Sequence, residues 1–155
     1  MTAKDSRGDI PLLVVDLDGT LIRSDTLYES FWAGLSDSWQ TIPAVLRGLG
    51  RGRAALKREL AALARLEVEH LPYNDVVLDY IRDWRAAGGR AVLVTAADQS
   101  IAERIAAHLG LFEEVHGSDG AVNLKGRHKA GMIRDRYGAT GYSYIGDSAA
   151  DLPVW

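Results

Sequence analysis

Two carboxylates stand two residues apart in Asp16-Leu17-Asp18, and Gly19 and Thr20 follow directly. Carboxylates can act as nucleophile, as general acid and base, or as hard-oxygen ligands of a divalent cation. Asp-Gly is also a common turn, so the pair means little without partners. Three more polar groups occupy comparable places along the chain. Thr95 follows the apolar run 91–94, Lys129 opens the helical pattern around Ile133, and Gly146-Asp147 with Asp151 follows the run 142–145.

The elements that must position these residues can be read from periodicity. Residues 12–15 form a short apolar run bounded by Pro11 and the Asp-Leu-Asp-Gly turn, the pattern of a fully buried strand. Val76, Val77, Tyr80, Ile81 and Trp84 recur at helical spacing within 73–87, and Gly88-Gly89 ends that helix before a strand at 91–94. Ile101, Ile105, His108 and Leu109 mark the next helix, 114–116 a short strand, Ala130, Ile133 and Tyr137 a further helix, and 142–145 a last strand. Strands alternating with helices imply a Rossmann-like parallel sheet covered on both faces, with ligands bound at the carboxyl ends of the strands. All the polar groups named above fall at that edge.

One stretch breaks the alternation. Residues 26–71 show helical pattern only, with capping-box spacing at Thr26 and Glu29 and an apolar stripe of Leu56, Leu60 and Leu63. They read as an inserted helical subdomain between two parts of one core, 10–25 and 72–155, after a disordered start at 1–9. Gly48, Gly50 and Gly52 divide the insertion but form no nucleotide loop, because no strand precedes them and no Gly-Lys-Ser/Thr closes them.

Composition narrows the function classes. A chain of 155 residues, 47% apolar, supports one ordinary domain core, and with no cysteine there is no disulfide and no cysteine-ligated metal. The apolar runs are far shorter than the roughly 20 residues of a membrane-spanning helix. A net charge of -3 gives no overall drive toward nucleic acid. His70, His108, His116 and His128 share no metal-ligand spacing, and Trp32, Trp39 and Trp84 sit at helical positions that suit packing.

Asp16-Leu-Asp-Gly-Thr20, Thr95, Lys129 and Gly146-Asp147 with Asp151 resemble, in order, the four motifs of the haloacid dehalogenase-like superfamily. The likeness runs over nearly the whole chain, makes the insertion 26–71 a small helical cap, and implies a phosphatase or mutase rather than a dehalogenase, because a second acidic residue stands at Asp18. Phosphoryl transfer needs an in-line nucleophile, cations for the phosphoryl oxygens and a proton donor for the departing oxygen. In this reading Asp16 is the nucleophile, Asp18 the acid and base, Thr95 a hydroxyl donor to the phosphoryl group, and Lys129 the fixed cation, with Lys125 the alternative lysine. Magnesium would be held by the carboxylates of Asp16 and Asp147 and the backbone carbonyl of Asp18. Asp151 either binds the metal through water or holds Lys129. A phosphomutase shares the first half-reaction.

Further stretches, Arg51-Gly-Arg-Ala-Ala-Leu-Lys57, Leu71-Pro-Tyr-Asn74, His108-Leu-Gly-Leu-Phe112, Gly117-Ser-Asp-Gly120, Asn123-Leu-Lys-Gly126 and Ala150-Asp-Leu-Pro-Val-Trp155, resemble the amino-terminal domain fused to some bacterial UbiA-type polyprenyltransferases. That likeness implies a core truncated at its C-terminal end, a covalent continuation into a membrane domain, and a place in the cytoplasm on the cytoplasmic face of the membrane. It admits a phosphorylated small-molecule or lipid-linked substrate and no nucleic acid. A non-catalytic regulatory or docking domain of the same membrane protein is the alternative. The cationic run 47–58, with Arg47, Arg51, Arg53, Lys57 and Arg58 and no acid, is either a solvated face or a surface for lipid or an anionic substrate.

Overall fold

The computed structural model describes residues 10–23, 68–119, 123–147 and 149–154. Residues 1–9, the basic run 47–58, Trp32, Trp39 and all of the expected cap except 68–71 lie outside the described residues. Within them the elements are β1 (Leu12–Val15), α1 (Asp75–Ala86), β2 (Arg90–Asp98), α2 (Gln99–Leu109), β3 (Glu114–Ser118), α3 (Arg127–Tyr137) and β4 (Tyr142–Ile145), with 3-10 turns at Val68–His70 and Ala149–Asp151.

The four strands form one parallel sheet in the order β3-β2-β1-β4. Residues alternate across the strands, so β1, β2 and β4 each feed two cores. Leu13, Val15, Ala91 and Leu93 join Leu78 and Ile81 of α1 and Ile101, Ala102, Ile105 and Ala106 of α2. On the other face Leu12, Val14, Val92 and Val94 join Ile133 of α3, Tyr144 and Val154. This is why the strands read as unbroken apolar runs.

The chain moves from β1 outward through β2 to β3, then returns to place β4 on the free side of β1. The direction of winding therefore reverses between β1 and β4, which opens a crevice at their carboxyl ends. Val15 pairs with Ile145, and the Asp16 amide donates to the Ile145 carbonyl at 2.9 Å, so the residues that follow the two strands are held side by side.

Helix ends follow local chemistry. Asp98 caps α2 by accepting from the Ser100 amide at 2.9 Å, and Gly110 stops it in the left-handed conformation at φ 64°. The structure departs from the sequence reading in two places. β2 continues through Asp98, so Thr95 lies inside the strand rather than after it. The register slips there, since Val94 pairs with His116 but Asp98 with Ser118. Side chains replace the missing ladder: Thr95 Oγ1 accepts the Ala97 amide at 2.9 Å and the Ser118 hydroxyl donates to the Ala96 carbonyl at 2.9 Å.

The second departure concerns the buried stripe of α1. Val76 and Tyr80 are 76% and 49% exposed, whereas Leu78 and Ile81 are buried. A helix that carries apolar residues on several faces does not reveal which stripe meets the sheet. His108 is exposed and stacks on Tyr73, with ring centroids 6.0 Å apart, and so is not part of the core. These placements set an expected contrast in urea denaturation. Ile81→Ala should cost about 2–5 kcal/mol by leaving a cavity, while Val76→Ala should fall within about 0.5 kcal/mol of the parent.

Candidate active site

The loop after β1 is fastened by its apolar residues. Leu17, Leu21 and Ile22 are fully buried, the Ile22 amide donates to the Leu17 carbonyl at 3.0 Å, and the Asn74 amide donates to the Leu21 carbonyl at 2.9 Å. Asn74 also donates through Nδ2 to the Thr20 carbonyl at 3.3 Å. Asp16, Asp18, Gly19 and Thr20 are thus carried on a loop anchored at both ends. Gly19 takes φ 75°, and a Cβ there would lie 2.3 Å from Asp147 Oδ2. The positive φ is what favours glycine here, and the near contact shows that the β1 loop and the β4 loop touch at this point.

Lys129 joins the loops to α3. Its helical offset of four from Ile133 points both residues at the sheet, and both are buried. The ammonium donates to Asp16 Oδ1 at 2.9 Å, to Asp151 Oδ1 at 3.0 Å and to the Tyr144 hydroxyl at 3.2 Å. Of the two lysines left open by the sequence, Lys129 is the one that reaches Asp16, and Lys125 is exposed in the preceding loop. Asp151, on the turn Ala149–Asp151, holds Lys129 directly.

The carboxylates of Asp16, Asp147 and Asp151 each bring an oxygen within 4.8 Å of the others. Asp18, half-buried, stands outside this triad of carboxylates. Three carboxylates against one ammonium leave a surplus of negative charge in a largely dry place. Asp151 Oδ2 is buried with no hydrogen-bond partner, and Asp147 is exposed at the rim. Hard oxygens, surplus charge, an orphaned buried oxygen and an open side suit a divalent cation such as magnesium, for which Asp16, Asp147 and Asp151 are the residues placed to hold it.

Burial also sets the proton affinity of Asp16. Desolvation raises Asp16 from its ordinary 3.8 to about 6, against the lowering effect of the neighbouring Lys129 and with a further push from Asp151. Tyr144 was not singled out by the sequence reading. Its phenol is driven well above its ordinary value by burial and then by the charges of Asp16 and Asp151. The signal available was the alternation of β4, which puts Tyr144 on the face that α3 covers.

A parallel sheet with a carboxylate cluster at its winding reversal, backed by a buried lysine, defines an α/β protein with a polar site at the carboxyl ends of its strands. The chain belongs to the haloacid dehalogenase-like hydrolases, whose family model matches residues 13–155. It is 46% identical over 143 residues to uncharacterized protein y4nM of Sinorhizobium fredii (strain NBRC 101917 / NGR234), a match that covers 92% of this chain and 28% of that protein. Among solved structures, a haloacid dehalogenase family hydrolase, t0658, of Salmonella enterica serovar Typhi aligns with a TM-score of 0.65 at 16% identity, over 94% of this chain and 60% of the other. A substrate-bound phosphoserine phosphatase aligns with a TM-score of 0.62 at 15% identity, over 94% of this chain and 81% of the other. A predicted phosphoglycolate phosphatase of Haemophilus somnus gives 0.60 at 18% identity, over 94% and 80%. At these identities the structural matches establish the shared fold.

Two outcomes follow from the geometry. Lys129→Ala leaves two buried carboxylates without their cation and should cost about 3–5 kcal/mol, whereas Lys125→Ala should be near neutral by the same denaturation measurement. Asp16 has a folded pKa above its unfolded value, so its contribution to stability is intact below pH 3.8 and is lost as pH rises through about 6. In chelator, Asp16→Asn should therefore melt higher than the parent at pH 7.5, by on the order of 2–3 kcal/mol, with the advantage gone near pH 3.5.

Proposed function

We propose that this domain is a magnesium-dependent phosphohydrolase working through an aspartyl-phosphate on Asp16. The observation that carries the reading is the buried Asp16 at the β1/β4 crevice, 2.9 Å from Lys129 and within 4.8 Å of the Asp147 and Asp151 carboxylates. At neutral pH Asp16 is largely ionised despite its burial, so it is ready to attack. Attack forms the bond from a carboxylate oxygen to phosphorus and breaks the bond to the departing alkoxide, which takes its proton from Asp18. Asp18 then removes a proton from the water that cleaves the acyl-phosphate, and inorganic phosphate leaves. Thr95 Oγ1 accepts from the Ala97 amide, which leaves its own proton to donate to a phosphoryl oxygen. Lys129 keeps its charge on the nucleophile's other side. Magnesium, when bound, supplies positive charge for the phosphoryl oxygens and for the surplus of carboxylates.

Residues 26–71 act in this reading as a cap that selects a phosphorylated small molecule or lipid-linked phosphate. The domain is the head of a longer protein with a membrane prenyltransferase part, on the cytoplasmic face of the membrane. Its support is the resemblance of the stretches from Arg51 to Trp155, together with the relative from Sinorhizobium fredii, 28% of whose length this chain spans. Among the described residues no helix is long and apolar enough to cross a membrane. Reading the gene beyond Trp155 for apolar spans of about 20 residues tests that part.

The catalytic part is tested by release of inorganic phosphate from an aryl phosphate with magnesium and with chelator. Turnover should need the metal and vanish in Asp16→Asn. Asp18→Asn should lower kcat about 10²–10⁴-fold and allow phosphoenzyme to accumulate. Turnover retained by Asp16→Asn would remove Asp16 from the nucleophile's role, and an isomerised product in place of phosphate would indicate a mutase.

A further inference from the structure

A lysine ammonium offers three N–H donors and no acceptor. All three donors of Lys129 are engaged, two by the carboxylates of Asp16 and Asp151 and the third by the hydroxyl of Tyr144 at 3.2 Å. Tyr144 lies on β4 with its ring in the cluster of Leu12, Val14, Val92, Val94 and Ile133, so its hydroxyl is a fixed point in the core. The ring centroid is 5.8 Å from the Lys129 nitrogen. The backbone beside it is kept bare: a Cβ at Gly146 would lie 2.5 Å from Tyr144 Cε1, 2.9 Å from its hydroxyl and 2.8 Å from Asp151 Oδ2. Glycine ahead of Asp147 therefore gives the phenol room beneath the loop.

The two kinds of acceptor differ in one respect that matters for turnover. When Asp16 forms its bond to phosphorus, and the alkoxide leaves with the proton of Asp18, the Asp16 carboxylate becomes a neutral acyl-phosphate carbonyl on the lysine's side. Attraction from Asp151 then dominates, and a flexible four-carbon stem would follow it. The hydroxyl of Tyr144 takes no part in the bond changes and accepts from the ammonium at the same place throughout. Its hold on Lys129 does not change with the state of the nucleophile.

We propose that Tyr144 is a positioning residue, which fixes the Lys129 ammonium between Asp16 and Asp151 so that its charge stays at the nucleophile through both half-reactions. This rests on the phosphoryl-transfer reading above. Tyr144→Phe keeps the ring and its packing and removes one acceptor from a buried cation.

Two measurements test it. In steady-state hydrolysis of an aryl phosphate with magnesium, Tyr144→Phe should lower kcat about tenfold, because the unheld ammonium shifts toward Asp151, and change KM less than about twofold. Nitrogen-15 NMR of lysine-labelled, metal-free protein reads the ammonium itself. Wild type should show a slowly exchanging ammonium signal that is absent from Lys129→Met, and in Tyr144→Phe that signal should broaden or disappear while the backbone spectrum stays near wild type and the melting temperature falls by only a few degrees. An unchanged signal with unchanged kcat overturns the proposal, and so does a wild-type protein without a protected Lys129 signal. A Tyr144-dependent signal in a wild type that releases no phosphate supports the hold on Lys129 and overturns the phosphoryl-transfer reading instead.

Discussion

Three parts of the chain meet at the ammonium of Lys129: the residue after β1, 113 positions away, the turn after β4, 22 positions away, and β4 itself, 15 positions away. One cation buried among carboxylates is what allows two acidic loops to close against each other. Without it, Asp16 and Asp151 would be like charges in a dry place, and the crevice would open or one of them would hold a proton. The same contact joins α3 to the sheet edge, so the integrity of that helix face and the chemistry of the site depend on a single side chain.

The lysine does not neutralise the cluster. Desolvation still holds Asp16 near a pKa of about 6, and Asp151 keeps a buried oxygen without a partner. A site in that condition is built for a further positive charge, and the cost of leaving it incomplete falls on folding stability.

Backbone geometry carries an equal share. Gly19 and Gly146 stand where side chains would collide with Asp147 in one case and with Tyr144 and Asp151 in the other. The two loops approach closely enough that a Cβ at Gly19 would press on the Asp147 carboxylate. The slip between β2 and β3 places Thr95 in a comparable bend, with its hydroxyl turned to the Ala97 amide.

The sequence by itself determined the alternation of strand and helix, because a parallel sheet covered on both faces needs short apolar runs and helical stripes that are visible locally. It also determined that Asp16, Asp18, Lys129 and Asp147 belong to one sheet edge, since each follows a strand or opens a helix, and the offset of Lys129 from Ile133 already pointed the lysine inward. Tertiary structure alone decided the rest. Val76 and Tyr80 are exposed and Leu78 is buried because the choice among apolar faces of α1 is made by the sheet it meets. β2 runs on past Val94 because β3 and the hydroxyls of Thr95 and Ser118 supply bonds that no local pattern encodes. Asp151 reaches Lys129, and Tyr144 becomes its third partner, only once β4 lies beside β1. The proton affinity of Asp16 belongs to the same class, since desolvation depends on everything packed around a carboxylate and on nothing in its immediate neighbours along the chain.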